Sequence, residues 1–177
     1  DIVVLNDYDG HIHTEEESLV ALQIDGQLTD NISATGQLLY HSADYPDSGV
    51  EWAYITYQHN QNLNFKLGKL RTPFFNYSDV IDVGLSFPWI SPPGQVYKKY
   101  MFSTFEGAKA TYHFGDEKLA YNLEGYWGQF DSDISLNGYQ FPTTVDDLKG
   151  VVFNVVDDSL SYRVSYHTGF VELESDY

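Results

Sequence analysis

The sequence predicts an all-β chain of antiparallel strands, and three observations predict it. Apolar and polar residues alternate with a period of two along much of the chain, as they do when successive side chains point to opposite faces of a strand. The alternating stretches run to about 8–11 residues, the length of a tilted strand that crosses a hydrocarbon core; strands of soluble sandwiches are nearer about 5–6. Short polar turns alternate with long connections, and antiparallel strands reverse at every step. All the short turns therefore fall at one end of the sheet and all the long loops at the other. Together these features favour an antiparallel transmembrane β-barrel. The competing fold is a soluble sandwich or lipocalin-like barrel, in which the same alternation turns its apolar face inward.

In "VALQIDGQL", Val20, Leu22, Ile24 and Leu28 oppose Ala21, Gln23, Asp25 and Gln27. The turn "TDNIS" (29–33) leads into a second stretch, 34–41, whose alternation is slightly broken. Residues 50–57 are apolar on both faces and have no assigned orientation; "QHNQN" (58–62) joins them to 63–69. In "GAKATYHF", Ala108, Ala110, Tyr112 and Phe114 oppose Gly107, Lys109, Thr111 and His113. After "FGDEK" (114–118), Leu119, Tyr121, Leu123 and Trp127 oppose Ala120, Asn122, Glu124 and Tyr126. Residues 151–156 are again apolar on both faces and precede "VDDSL" (156–160). The cleanest stretch is "LSYRVSYHTGF": Leu160, Tyr162, Val164, Tyr166 and Phe170 oppose Ser161, Arg163, Ser165, His167 and Gly169. That makes about eight strands. Asn, Asp and Gly populate the short turns because they tolerate positive φ. The long connections are 42–49, 71–104 and 129–148.

Composition narrows the partners. The 177 residues suit a single domain, 1–177, and no cysteine is present to form a disulfide or a thiolate metal site. Acidic residues outnumber basic ones 26 to 9, for a net charge of -17, which argues against a nucleic-acid partner. Aromatics at 16% argue against disorder. No apolar run reaches the roughly 18 residues of a transmembrane helix. The start, "DIVVLNDYDG", does not read as a signal peptide, although a mature or trimmed chain would look the same. The polar strand faces supply the lumen-facing candidates Gln23, Asp25, Gln27, Lys109, His113, Glu124, Arg163 and His167. Trp52, Trp89 and Trp127 suggest either a sugar-stacking platform or an interfacial girdle. Trp52 and Trp127 stand near long-loop ends of strands, which favours the girdle.

The connection 71–104 carries Pro73, Pro88, Pro92 and Pro93, which resist strand pairing, and Phe74, Phe75, Tyr77, Phe87 and Trp89, which must pack on something. The run "SLVALQIDGQLTDNISATGQLLY", then "EWAYITYQ", then "FKLGKLRTPFFNYSDVIDVGLSFPWISPPGQVY" resembles the N-terminal half of a family of gammaproteobacterial outer-membrane porin-like proteins. In that family a strand ending "GRLR.P" leads into "SD..DVG.AYPW..PP..VY". Gly68, Leu70, Arg71, Pro73, Ser78, Asp79, Asp82, Val83, Gly84, Pro88, Trp89, Pro92, Pro93, Val96 and Tyr97 match. Lys69 stands where the family commonly has Arg, and Ser86-Phe87 replaces Ala-Tyr.

The resemblance covers residues 18–107 and implies a fold and a role. Family members close as barrels of roughly sixteen strands, whereas a barrel of about eight has an interior just filled by side chains. The expectation is therefore a fragment of a porin, with 71–104 as an inward-folding constriction loop. Lys69, Arg71, Asp79, Asp82, Lys98 and Lys99 are the pore-constriction candidates; a ring of charges in a narrow aqueous pore filters by size and charge. Arg71 with Asp79 or Asp82 reads equally as a salt bridge pinning the loop, and both roles are compatible.

Other constellations are weaker. His11 and His13 share one side of an extended segment but lack a third ligand, so no metal site is assigned. "NDYDG" (6–10) and "DSDISLNG" (131–138) lack the calcium-loop spacing and read as acidic surface loops, with loose divalent binding near lipid headgroups left open. Asp79 and Asp82 as a catalytic pair is a chance spacing, and no nucleophile elbow, phosphate loop or zinc-helix motif occurs. The expected function is a passive diffusion channel for small hydrophilic solutes or ions in a Gram-negative outer membrane. Its partners would be lipid and lipopolysaccharide; no cofactor and no enzymatic activity are expected, and trimeric assembly follows by analogy with general porins. The alternatives are a soluble or surface-attached carbohydrate-binding β-domain, and a barrel acting as receptor or structural partner.

Overall fold

A computed structural model describes residues 19–41, 48–76, 78, 102–116, 118–136 and 139–173. The strands are β1 (Leu19–Thr29), β2 (Ile32–His41), β3 (Gly49–Gln58), β4 (Leu63–Arg71), β5 (Thr104–Gly115), β6 (Leu119–Leu136), β7 (Tyr139–Asp157) and β8 (Ser161–Leu173). They form one antiparallel sheet in sequence order, β1 to β8, each strand bonded to the next. The sheet is open: β1 and β8 are its two edges and do not pair with each other.

The four short turns share one closing device. A side-chain oxygen at the end of one strand accepts hydrogen bonds from the backbone N–H groups two and three residues on. Thr29 does this for Asn31 and Ile32, and Asn60 for Asn62 and Leu63. Asp116 serves Lys118 and Leu119, and Asp157 serves Ser159 and Leu160. Each satisfies donors that the ladder cannot reach, which is why Asn, Asp and Thr recur there.

Register orients every strand. Tyr54 faces Gly68 and Thr56 faces Lys66, so Trp52, Tyr54 and Thr56 share the face of Lys66, while Ile55 and Tyr57 share that of Leu67 and Phe65. On β7, Val152 and Asn154 face Ser165 and Arg163, and Val151 and Phe153 face Tyr166 and Val164. The two stretches that alternation left unassigned are thereby oriented by their neighbours.

The expected loop 129–148 is corrected. Most of it is strand: β6 and β7 pair from Leu119↔Asp157 to Leu136↔Tyr139, with irregular register at Gly128/Phe130 and at Asp146/Lys149. Asp147 takes a positive φ of 49° within the second irregularity. The hairpin outruns its neighbour, since β5 begins at Thr104 and its pairing with β6 stops at Gln129. At about 3.3 Å per residue the overhang is roughly 20 Å. Its sequence, rich in Asp, Ser and Thr, carries only a few apolar residues on its covered face, where Ile134 and Val145 are buried beside Thr143, so its alternation is weak.

One face is covered and the other is bare. The core lies on the concave face toward the long-loop end: Leu70, Phe102, Phe105, Tyr126, Val145 and Leu148, with Tyr54, Phe74 and Phe130 against them. Phe102 stacks on Phe130 at 4.6 Å between ring centres, and Phe74 meets Phe102 edge-on at 5.4 Å; such pairs contribute about 0.5–1.5 kcal/mol beyond burial. On the convex face Leu160, Tyr162, Val164 and Tyr166 are 54%, 60%, 70% and 70% exposed, with no second layer over them among the described residues.

Candidate functional site on the concave face

The polar positions line up across strands. Gln23 and Gln37 face each other, as do Asp25 and Thr35; Thr35 donates to Asp25 at 2.7 Å and Gln23 to Asp25 at 2.8 Å. Gln27 and Ser33 follow in the same file. Farther along, one cross-strand row runs Lys66, Lys109, Tyr126, Gly150, His167, and the next runs Asn64, Thr111, Glu124, Val152, Ser165. A third places His113 opposite Asn122, Asn122 opposite Asn154 and Asn154 opposite Arg163. All eight residues expected in the lumen therefore share one face.

Two lysines directly opposite each other repel. Here each has a local remedy. Lys109, 8% exposed, pairs with Glu124 at 3.4 Å. Lys66 sits 4.5 Å from the centre of the Tyr54 ring and lies 3.4 Å from its hydroxyl, a cation–π arrangement. Beyond Gly150, which has no side chain to intervene, the Tyr126 hydroxyl meets His167 Nδ1 at 2.6 Å. A methyl group at residue 150 would lie 2.7 Å from both partners.

The start of the long connection lies across this face. Arg163 of β8 donates to the Pro73 carbonyl at 2.5 Å, and Phe74 packs edge-on against the His167 ring at 5.1 Å. Four strand spacings in a flat sheet would hold β8 about 19 Å from β4. The chain has travelled only three residues beyond Arg71, so the sheet must curl around the segment. Thr72 fastens the root: its N–H and hydroxyl both reach the Ser103 carbonyl at 2.9 Å.

Arg71, 8% exposed, pairs with Glu51 at 2.6 Å and lies 5.3 Å from the centre of the Trp52 ring. Trp52, Tyr54, Lys66, Leu70, Arg71 and Lys109 line a partly open cavity of about 120 Å³. Two expectations change here. Trp52 is not in an outer girdle: register with Gln37 sets it on the concave face. Lys69, a constriction candidate, is not on the concave face: it faces Ala53 and Glu106, sharing the side of Leu67, and donates to the Val50 carbonyl at 2.7 Å. Trp127 is on the convex face, 64% exposed, with Nε1 donating to Asp147 at 3.0 Å.

Sequence reasoning missed a convex aromatic band at the short-turn end. Tyr57 stacks on Phe65, Tyr112 on Phe114, Phe114 on Tyr121, and Tyr121 on Phe153, with ring centres 4.9–6.4 Å apart. The signal was present as an aromatic near the short-turn end on the apolar face of β3, β4, β5, β6 and β7. Asp79, Asp82, Lys98, Lys99, Trp89, His11, His13 and residues 6–10 lie outside the described residues.

No family model and no curated protein matches the chain. Among solved structures it is similar to OmpTdeltaL8, a loop L8 deletion mutant of OmpT, an outer membrane protein of Vibrio cholerae. The match has 12% identity and a TM-score of 0.34, and covers 89% of this chain and 62% of that one. The chain thus spans less than two thirds of the length of that protein.

Proposed function

We propose that the chain forms part of the wall of an outer-membrane β-barrel that passes small hydrophilic solutes or ions, in keeping with the porin-like resemblance of residues 18–107. The observation that supports it best is the bare convex face. Val20, Leu22, Ile24, Leu67, Val164, Tyr166 and Phe170 are each more than half exposed along sheet-long files. Apolar patches on soluble monomers rarely exceed a few hundred Å², and lipid is the medium that covers such a surface without a second protein layer. The aromatic band at the short-turn end sits where a barrel meets the headgroups. Opposite it, the charged and amide side chains of the concave face suit a water-filled lumen, and the segment from Thr72 to Phe74 narrows that lumen. Closing the wall takes further strands on the edges of β1 and β8.

The test is reconstitution. The protein is expected to require detergent or lipid and to give discrete conductance steps in a planar bilayer. A chain that stays monodisperse in plain buffer, with no conductance in lipid, overturns the reading.

A further inference from the structure

Among the described residues, the small cavity between β3, β4 and β5 holds more cations than carboxylates answer. Three of its lining residues are cations: Lys66, Arg71 and Lys109. Glu51 answers Arg71 and Glu124 answers Lys109. Among the described residues Lys66 has no ion-pair partner, only the Tyr54 ring and hydroxyl. It also stands directly opposite Lys109 in the ladder. Trp52 adds a neutral donor: its indole Nε1 is shut off from solvent and has no hydrogen-bond partner among the described residues. The Oε1 of Gln37, opposite Trp52, is also without a partner, so the two have not satisfied each other.

We propose that this cavity binds a small oxyanion, a carboxylate or inorganic phosphate. Lys66 supplies the uncompensated charge, Arg71 and Lys109 flank it, and Trp52 Nε1 donates a neutral hydrogen bond. The volume of about 120 Å³ is a few times the roughly 30 Å³ share of one liquid water, which suits a group of this size. A planar guanidinium beside an ammonium is well matched to oxyanions. The inference deepens the channel reading and rests on it for access from water. It gives the lumen a local preference for anions in a chain whose net charge is -17; only charges at the constriction decide what passes.

The test titrates the detergent-solubilised full chain with inorganic phosphate and, separately, with acetate by calorimetry. The same titrations are run on Lys66→Gln, Lys66→Arg and Trp52→Phe, and reversal potentials are measured in bilayers under a KCl gradient. The wild type is expected to bind at least one anion. Lys66→Gln should weaken that binding about tenfold, the loss of one charge-assisted hydrogen bond, and Lys66→Arg should largely retain it. Trp52→Phe should lose severalfold, and the reversal potential of Lys66→Gln should move toward cations. Failure of the wild type to bind either anion, or equal binding by Lys66→Gln, overturns the proposal. If Lys66→Gln does not fold, the wild-type titration and Lys66→Arg decide alone. Conductance without anion binding removes the site and leaves the channel; Lys66-dependent binding without conductance removes the channel and leaves the site.

Discussion

Glu124 is the residue on which the cationic row of the concave face depends. It is 9% exposed and neutralises Lys109, which faces Lys66. Glu124→Gln leaves two ammonium groups opposed with no carboxylate between them; Lys109→Gln removes one of the two repelling charges as it strands Glu124. Breaking a buried pair costs about 3–5 kcal/mol, so Glu124→Gln is expected near the top of that range and Lys109→Gln below it. The double variant should cost less than their sum, and thermal unfolding in detergent checks all three. At the turn between β7 and β8, the backbone N–H groups of Ser159 and Leu160 bind the Asp157 carboxylate and hold its pKa below the ordinary carboxylate value. A lowered folded-state pKa means the turn is held above the ordinary pKa and loosens as pH falls through the lowered one. Amide exchange at Ser159 and Leu160, corrected for intrinsic rates, should therefore quicken in that acid window. In Asp157→Ala it should be fast at every pH.

At the scale of elements, apolar patterning located all eight strands, and where it alternated with a period of two it sorted the polar residues onto one face, because a strand with one apolar and one polar surround must alternate. The same physics explains what was not legible. Where the covered face of a strand is filled partly by small polar residues, as with Ser132 opposite the buried Thr143, apolar alternation is weak, and a hairpin reads as a loop. Trp52 was misplaced because residues 50–57 are apolar on both faces and nearness to a long-loop end does not fix a face, and Lys69 because the family resemblance marks a position without saying which face it occupies. The paired Glu51 and the Tyr126–His167 bond join residues distant in sequence, and only register brings them together. The two faces make opposite predictions for one substitution. Val164→Arg, on the convex side of β8, should cost about 2–4 kcal/mol if it meets the bilayer midplane, and less toward the interfaces. Its neighbour Ser165→Arg, on the wet side, should stay within about 0.5 kcal/mol. Urea titration in lipid vesicles measures both, and equal costs would remove the distinction between the faces.

In the molecule as a whole, three regions far apart in sequence converge on one cluster: the root of the long connection through Phe74 and Phe102, the wall through Leu70 and Phe105, and the overhanging hairpin through Phe130 and Val145. Phe130→Ala is expected to cost about 2–4 kcal/mol, since the ring is partly buried against Phe102. It should also speed proteolytic cleavage within 72–103 while cleavage of the short turns is unchanged, a comparison made by limited digestion and mass spectrometry. Equal protection of that segment in the variant would show that the hairpin and the loop root are independent. Mechanically, the overhang of β6 and β7 is a strut and not a loose flap: Ile134, Thr143 and Val145 are buried on one of its faces, and its base ends among the aromatic rings that seat Phe74, so a displacement of the hairpin is passed to the segment lying across the concave wall.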